Sequence, residues 1–234
     1  MKKKNNSRSK MIKDGIILLL GTALIVFTSY HTKLEPLSYK PKIQPKNGAF
    51  SIWAIIFASL FISSIFVLIE NINYLLPVLL CSASLVCCSV WLFISEKIQA
   101  VYLLISATIF ACICSLTFLQ YRNIHFIILL GPNLLFSWLT IASSLGIIIH
   151  LKIFYGFDEK VYFIIPPILL NFVVFATTTL HENYIGAIFI IFPLFWTLLF
   201  SDIHNFTLFS IPVFLEIGFI LGFFMNQSIC VSQN

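Results

Sequence analysis

Few residues in this chain could do chemistry, and most of those are aromatic. Phe50, Trp53 and Phe57 recur at i, i+3 and i+7, so on a helix they form one stripe. Such a stripe is either an aromatic belt at a membrane interface or one wall of an apolar pocket. Lys40, Lys42 and Lys46 precede it, spaced by Pro41 and Pro45. Lysines in that position either snorkel to the interface or pair with ligand carboxylates. Trp91 and Trp138 follow in later apolar runs. Cys81, Cys87, Cys88, Cys112 and Cys114 also lie in apolar runs, and Cys230 sits near the C-terminus. Their spacings of six, one and two residues, with no matching His pair, read as packing thiols rather than a zinc site. His31, His125, His150, His181 and His204 fall near the ends of apolar runs, and no phosphate-binding, nucleophile-elbow or zincin motif occurs. Glu216 is the one acid well inside an apolar run, and Asn171 is a polar residue in another. An acid at that depth should face the interior of a bundle, either paired or protonated.

The elements that hold these residues follow from composition. Of 234 residues, 59% are hydrophobic and 10% charged, and the mean hydropathy is +1.00. A soluble domain carries about 25% charged residues, so a soluble enzyme, a disordered chain and a disulfide-rich secreted module are all excluded. The net charge of +5 is concentrated in Lys2, Lys3, Lys4, Arg8, Lys10 and Lys13, and the remainder carries eight basic and nine acidic groups. No basic face is left for a phosphate backbone, so nucleic acid is not an expected partner.

Uncharged runs cover 15–32, 47–69, 71–95, 98–121, 123–151, 161–181 and 183–201, and an eighth apolar region, 206–226, contains Glu216. A helix needs about 20 apolar residues to cross the hydrocarbon core. The runs lack period-2 alternation, so the expected fold is an all-α, multi-pass membrane bundle of about eight spans. Seven spans result if 161–201 divides differently. The basic tail before the first run suits an uncleaved signal anchor, because "FTSYHTK" offers no small-x-small cleavage site. With the N-terminus inside, basic residues tie at seven on each side. The first helix usually dominates, which favours that orientation.

The segment "KPKIQPKNGAFSIWAIIF", Lys40 to Phe57, combines a proline-biased linker, an Asn47-Gly48 turn and a helix start near Ala49 or Phe50. Lys40-Pro41, Pro45, Phe50, Trp53 and Phe57 resemble the first loop and second-helix start of the TspO/MBR family, the translocator proteins or tryptophan-rich sensory proteins. "CCSVWLFIS", centred on Trp91, resembles that family's third-helix motif. "GPNLLFSWLTIAS", with Pro132, Trp138 and Ala142, resembles its fifth-helix motif. The chain departs from the pattern at Ile43 and Lys46 in the loop, at Cys88 before Trp91, and around Ser144-Leu145.

The resemblance implies a basic tail (1–13), a TspO-like five-helix core (14–151), three additional helices (152–227) and a short C-terminal tail (228–234). It implies a pocket capped by the first loop, with Pro45, Phe50, Trp53, Phe57, Trp91, Pro132, Trp138 and Ala142 as ligand-binding residues. The ligand would be a tetrapyrrole, a sterol or a similar flat hydrophobic molecule, bound by a receptor or carrier rather than an enzyme. No cofactor is required, although a tetrapyrrole or lipid could be bound, and membrane lipid is the surrounding partner. A homodimer is an open alternative. The competing function is a secondary transporter or channel that uses all eight helices, with Glu216 and Asn171 as its polar site.

Overall fold

The computed structural model describes residues 2–32, 47–70, 72–94, 99–118, 120–121, 124–156 and 184–200. Every regular element among them is helical. Helix α1 runs Lys2–His31, a 3-10 turn occupies Asn47–Ser51, and α2 follows at Ile52–Ile69. Then come α3 (Leu75–Ile94), α4 (Ala100–Phe118), α5 (Phe126–Tyr155) and α6 (Tyr184–Leu199). Five of these helices, α1 to α5, contain a stretch long and apolar enough to cross a membrane. They match the first five apolar runs of the sequence. The seventh run appears as α6, 16 residues long, while the runs at 161–181 and 206–226 lie outside the described residues.

Local signals set the helix ends. The stripe does not begin on an α-helix, because Ala49 and Phe50 sit in the 3-10 turn and α-helical geometry starts at Ile52. Extended backbone at Glu70 (φ −69°, ψ 135°) ends α2. Asn73 Oδ1 accepts the Leu75 N–H at 3.0 Å, satisfying a donor that the first turn of α3 leaves free. Gly156 closes α5 in the left-handed region, φ 67°, where a Cβ would be strained. Helix α5 is 30 residues long, about 45 Å at 1.5 Å per residue, and so outreaches its neighbours.

The five long helices close into a ring in the order α1–α2–α5–α4–α3, each packed on two neighbours. Helix α6 packs against α5 and the 3-10 turn. In an apolar solvent no hydrophobic force drives helices together, so small side chains and interhelical hydroxyls must hold the ring. At the α2–α5 crossing, Gly131 lets the two backbones touch: a Cβ there would lie 2.7 Å from Leu60 Cα. Ser63 Oγ clips the same crossing, donating to the Ile127 carbonyl at 3.0 Å and accepting the Gly131 N–H at 3.2 Å. Ser84 donates to the Ala107 carbonyl across α3–α4 at 2.8 Å. Thr108 Oγ1 lies 3.1 Å from the Leu139 carbonyl across α4–α5. Bonds of this kind average about 0.6 kcal/mol each, so the backbone contact at Gly131 is the stronger constraint on geometry.

Candidate functional site: aromatic rings between α2 and α5

The antiparallel run of α2 against α5 fixes which residues meet. With Leu60 opposite Gly131, seven residues back along α2 and seven forward along α5 bring Trp53 opposite Trp138. Their ring centroids lie 6.3 Å apart at 83°. Phe50, held one turn earlier by the 3-10 turn, meets the same indole edge-on at 6.0 Å and 87°. Phe57 lies 5.4 Å from Trp53, tilted by 31°. Edge-to-face contacts suit the ring quadrupoles and contribute about 0.5–1.5 kcal/mol beyond area burial. Phe50 and Trp53 therefore converge on one indole from the facing helix, with Phe57 packed behind Trp53.

Trp138 is the deepest of the group, 3% exposed, while Phe50, Trp53 and Phe57 are half-buried. Its Nε1–H is buried and has no hydrogen-bond acceptor. A buried indole normally finds one, and leaving a donor unpaired costs about 1–3 kcal/mol. Pro132 is buried on the same helix near the Gly131 crossing, and Ala142 stands half-buried one turn beyond Trp138. Trp91 stands apart. It is half-buried on α3, which packs on α1 and α4, and among the described residues it makes no ring contact with Phe50, Trp53 or Trp138. Pro45 and the loop lysines Lys40, Lys42 and Lys46 lie outside the described residues, as do Asn171 and Glu216. Of the cysteines, Cys81, Cys88 and Cys114 are buried and Cys87 and Cys112 half-buried. Among the described residues no group of three potential ligands could hold a metal.

Sequence reading missed a second constellation at the other end of the ring. Asp14, 2% exposed, accepts the Tyr74 N–H at 3.0 Å. The fully buried Tyr74 donates its hydroxyl to Glu70, and Tyr121 donates to the Asn73 carbonyl at 3.0 Å. The rings of Tyr74 and Tyr121 meet at 4.8 Å, and Phe118 lies 5.7 Å from Tyr74. Burial pushes the Tyr74 phenol well above its usual range, and the hydrogen bond and charge of Glu70 add to that. Burial, then the charge of Asp14, raise Tyr121 in the same direction. Asn73 and Tyr121 also line an open groove of about 300 Å³ with Leu75, Leu76 and Leu79. The one usable signal was Asp14 itself, an acid standing between a basic tail and an apolar run. Its partner, 60 residues away, carries no motif.

No protein-family model matches the chain, and neither a curated protein nor a solved structure does.

Proposed function

We propose that the chain is a multi-pass integral membrane receptor or carrier that binds a flat hydrophobic ligand, of tetrapyrrole or sterol type, between α2 and α5. The observation that carries this reading is Trp138: 3% exposed, framed edge-on by Phe50 and Trp53, with its indole N–H left without an acceptor. A planar ligand that entered between these rings would gain area burial at about 25 cal/mol per Å² and offset stacking. An acceptor at its edge would satisfy the indole. The resemblance of the Phe50–Trp53–Phe57 and Pro132–Trp138–Ala142 segments to the TspO/MBR family supports the same ligand class. The chemistry on offer is binding: the rings stack, the indole donates, and no nucleophile or acid–base pair stands among them. The transporter alternative rests on Asn171 and Glu216, both outside the described residues.

Hemin or protoporphyrin titrated into the purified protein should quench tryptophan fluorescence saturably. Trp138→Ala and Trp53→Ala should each weaken that binding at least tenfold. Saturable quenching unchanged in both variants would sink the assignment.

A further inference from the structure

The side of α5 that faces away from the ring carries a different chemistry. Leu139, Ser143 and Gly146 meet α4, whereas Ile127, Gly131 and Trp138 meet α2. At about 100° per residue these two contact directions lie roughly 110° apart, and the ring interior occupies the angle between them. Asn133, Ser137, Thr140 and Ser144 recur at i, i+4, i+7 and i+11, which places them in the opposite sector, outside the ring. All four are buried, at 1%, 0%, 0% and 1% exposure. They form a polar stripe about 16 Å long on a membrane-spanning helix. The described helix that packs on α5 from outside the ring is α6.

Two buried donors, one on each of these helices, have no partner. Thr140 and Ser144 spend their hydroxyl hydrogens on the carbonyls of Phe136 and Thr140, at 2.9 and 2.7 Å. The Ser137 hydroxyl, between them and Asn133, makes no hydrogen bond. On α6, the Trp196 ring lies 5.8 Å from Phe192 and 5.4 Å from Phe200, tilted by 35° and 47°, and its indole Nε1–H is likewise buried without an acceptor. No charged residue occurs in α6, or in α5 before Lys152.

We infer that this outer face of α5, together with α6, is a second site for a neutral, bilayer-soluble ligand that presents a carbonyl acceptor on a flat ring, as quinones and aryl ketones do. Each feature of that class answers one observation. Neutrality follows from the uncharged lining that α5 and α6 contribute among the described residues, since an ion would be left uncompensated there in low dielectric. The acceptor follows from the unpaired O–H and N–H. The flat ring follows from the ladder Phe192, Trp196 and Phe200, which offers faces for stacking. Ser137 and Trp138 point to different sides of α5, but the ladder ends at Phe200 beside Gly48, in the 3-10 turn that carries Phe50, so the test must separate this site from the Trp138 rings.

The test uses the full-length protein in lipid nanodiscs with two probes of one shape: duroquinone, which has two carbonyls, and durene, which has none. Duroquinone should quench tryptophan fluorescence saturably and raise the melting midpoint, and durene should do neither. Ser137→Ala should weaken duroquinone binding about fivefold, the net effect of one neutral hydrogen bond. Without probe the same variant should melt about 2–4 °C higher, because it removes an unpaired buried hydroxyl. Trp138→Phe should leave duroquinone affinity unchanged. If durene stabilises as well as duroquinone, or Ser137→Ala binds like the parent, the proposal is wrong. If Trp138→Phe removes the duroquinone response and Ser137→Ala does not, the probe sits between α2 and α5. That outcome overturns the second site and leaves the receptor reading standing.

Discussion

The two ends of the helical ring treat polar groups in opposite ways. At the end that gathers Asp14, Glu70, Tyr74 and Tyr121, donors meet acceptors: Tyr74 N–H with Asp14, Tyr74 O–H with Glu70, and Tyr121 O–H with the Asn73 carbonyl. Around Trp138 the interior is as deeply buried, yet the indole N–H has nothing to donate to. Folding alone explains the first arrangement, because it ties the Asp14 turn of α1 and the start of α3 to the ends of α2 and α4; the buried donor left open near that end is the Ser115 hydroxyl, one turn before the end of α4. Folding does not explain the second, since an unpaired donor opposes it by about 1–3 kcal/mol. The contrast teaches where to look for ligand: the polar groups of the Asp14–Tyr74–Tyr121 cluster are fasteners, whereas the open indole donor of Trp138 stands among rings that a flat ligand would stack on.

The most severe way to break the contrast is at Gly131. A Cβ there would meet Leu60 Cα at 2.7 Å and its backbone N at 2.8 Å, and neither can swing aside. Gly131→Ala should therefore force α2 from α5 and destabilise the protein by about 3 kcal/mol, at the upper end for overpacking. Because the shift is local to the α2–α5 crossing, the Trp53–Trp138 contact should open while the Asp14 end stays closed. Denaturant or SDS titration gives the first quantity. Tryptophan emission, which should shift to the red, gives the second.

Removing the acceptor at the closed end should have the reverse signature. Asp14→Ala strands the buried Tyr74 N–H, which costs about 1–3 kcal/mol. Hydrogen exchange should speed up at the start of α3, while porphyrin quenching at Trp138 stays as in the parent. If quenching falls with Asp14→Ala, the two ends are coupled and the division between fastener and site is wrong.

pH sharpens the comparison further. Tyr74 and Tyr121 are both raised above the ordinary tyrosine value of 10.0, chiefly by burial. A raised phenol holds its proton in the folded state after the unfolded chain has lost it. The stability it supports is complete below about pH 10 and declines as pH rises toward the folded value. Unfolding midpoints should drop above pH 10, and Tyr74→Phe should flatten that slope. Tyrosinate absorbance should show these two phenols ionising above the ordinary tyrosine value.

How much of this could be read from the sequence divides along the same line. The apolar runs and the stripe at Phe50, Trp53 and Phe57 depend on composition and short-range period, and five of the eight expected spans stand among the described residues as long apolar helices. Which helix faces which depends on Gly131 and Ser63, residues whose role exists only when Leu60 and Ile127 arrive from elsewhere in the chain. The Asp14–Tyr74 pair was invisible for the same reason, since it joins the start of the apolar stretch of α1 to the beginning of α3, 60 residues away. Trp91 shows the converse. A tryptophan in an apolar run invites inclusion with the others, but ring order sets α3 against α1 and α4 rather than beside α2. Residue type was legible, and helix adjacency was not.

The smallest expected effect is the most pointed. Trp138→Phe removes the unpaired N–H and about a third of the ring, so two terms of opposite sign compete. Lost apolar contact destabilises by about 1 kcal/mol at 25 cal/mol per Å², and relief of an unsatisfied donor returns about 1–3 kcal/mol. The sum should leave stability within about 1 kcal/mol of the parent, or slightly above it. Substitution of a 3%-exposed tryptophan would ordinarily be among the costliest changes in a core. Ligand affinity should move the other way, falling about fivefold for an acceptor-bearing porphyrin that the indole can reach. The decisive quantity is the pair of measurements together. A stable variant that binds poorly marks Trp138 as a donor held for a ligand. A variant that loses a full 3 kcal/mol and binds normally would mark it as a packing residue, and the distinction between the two ends would disappear.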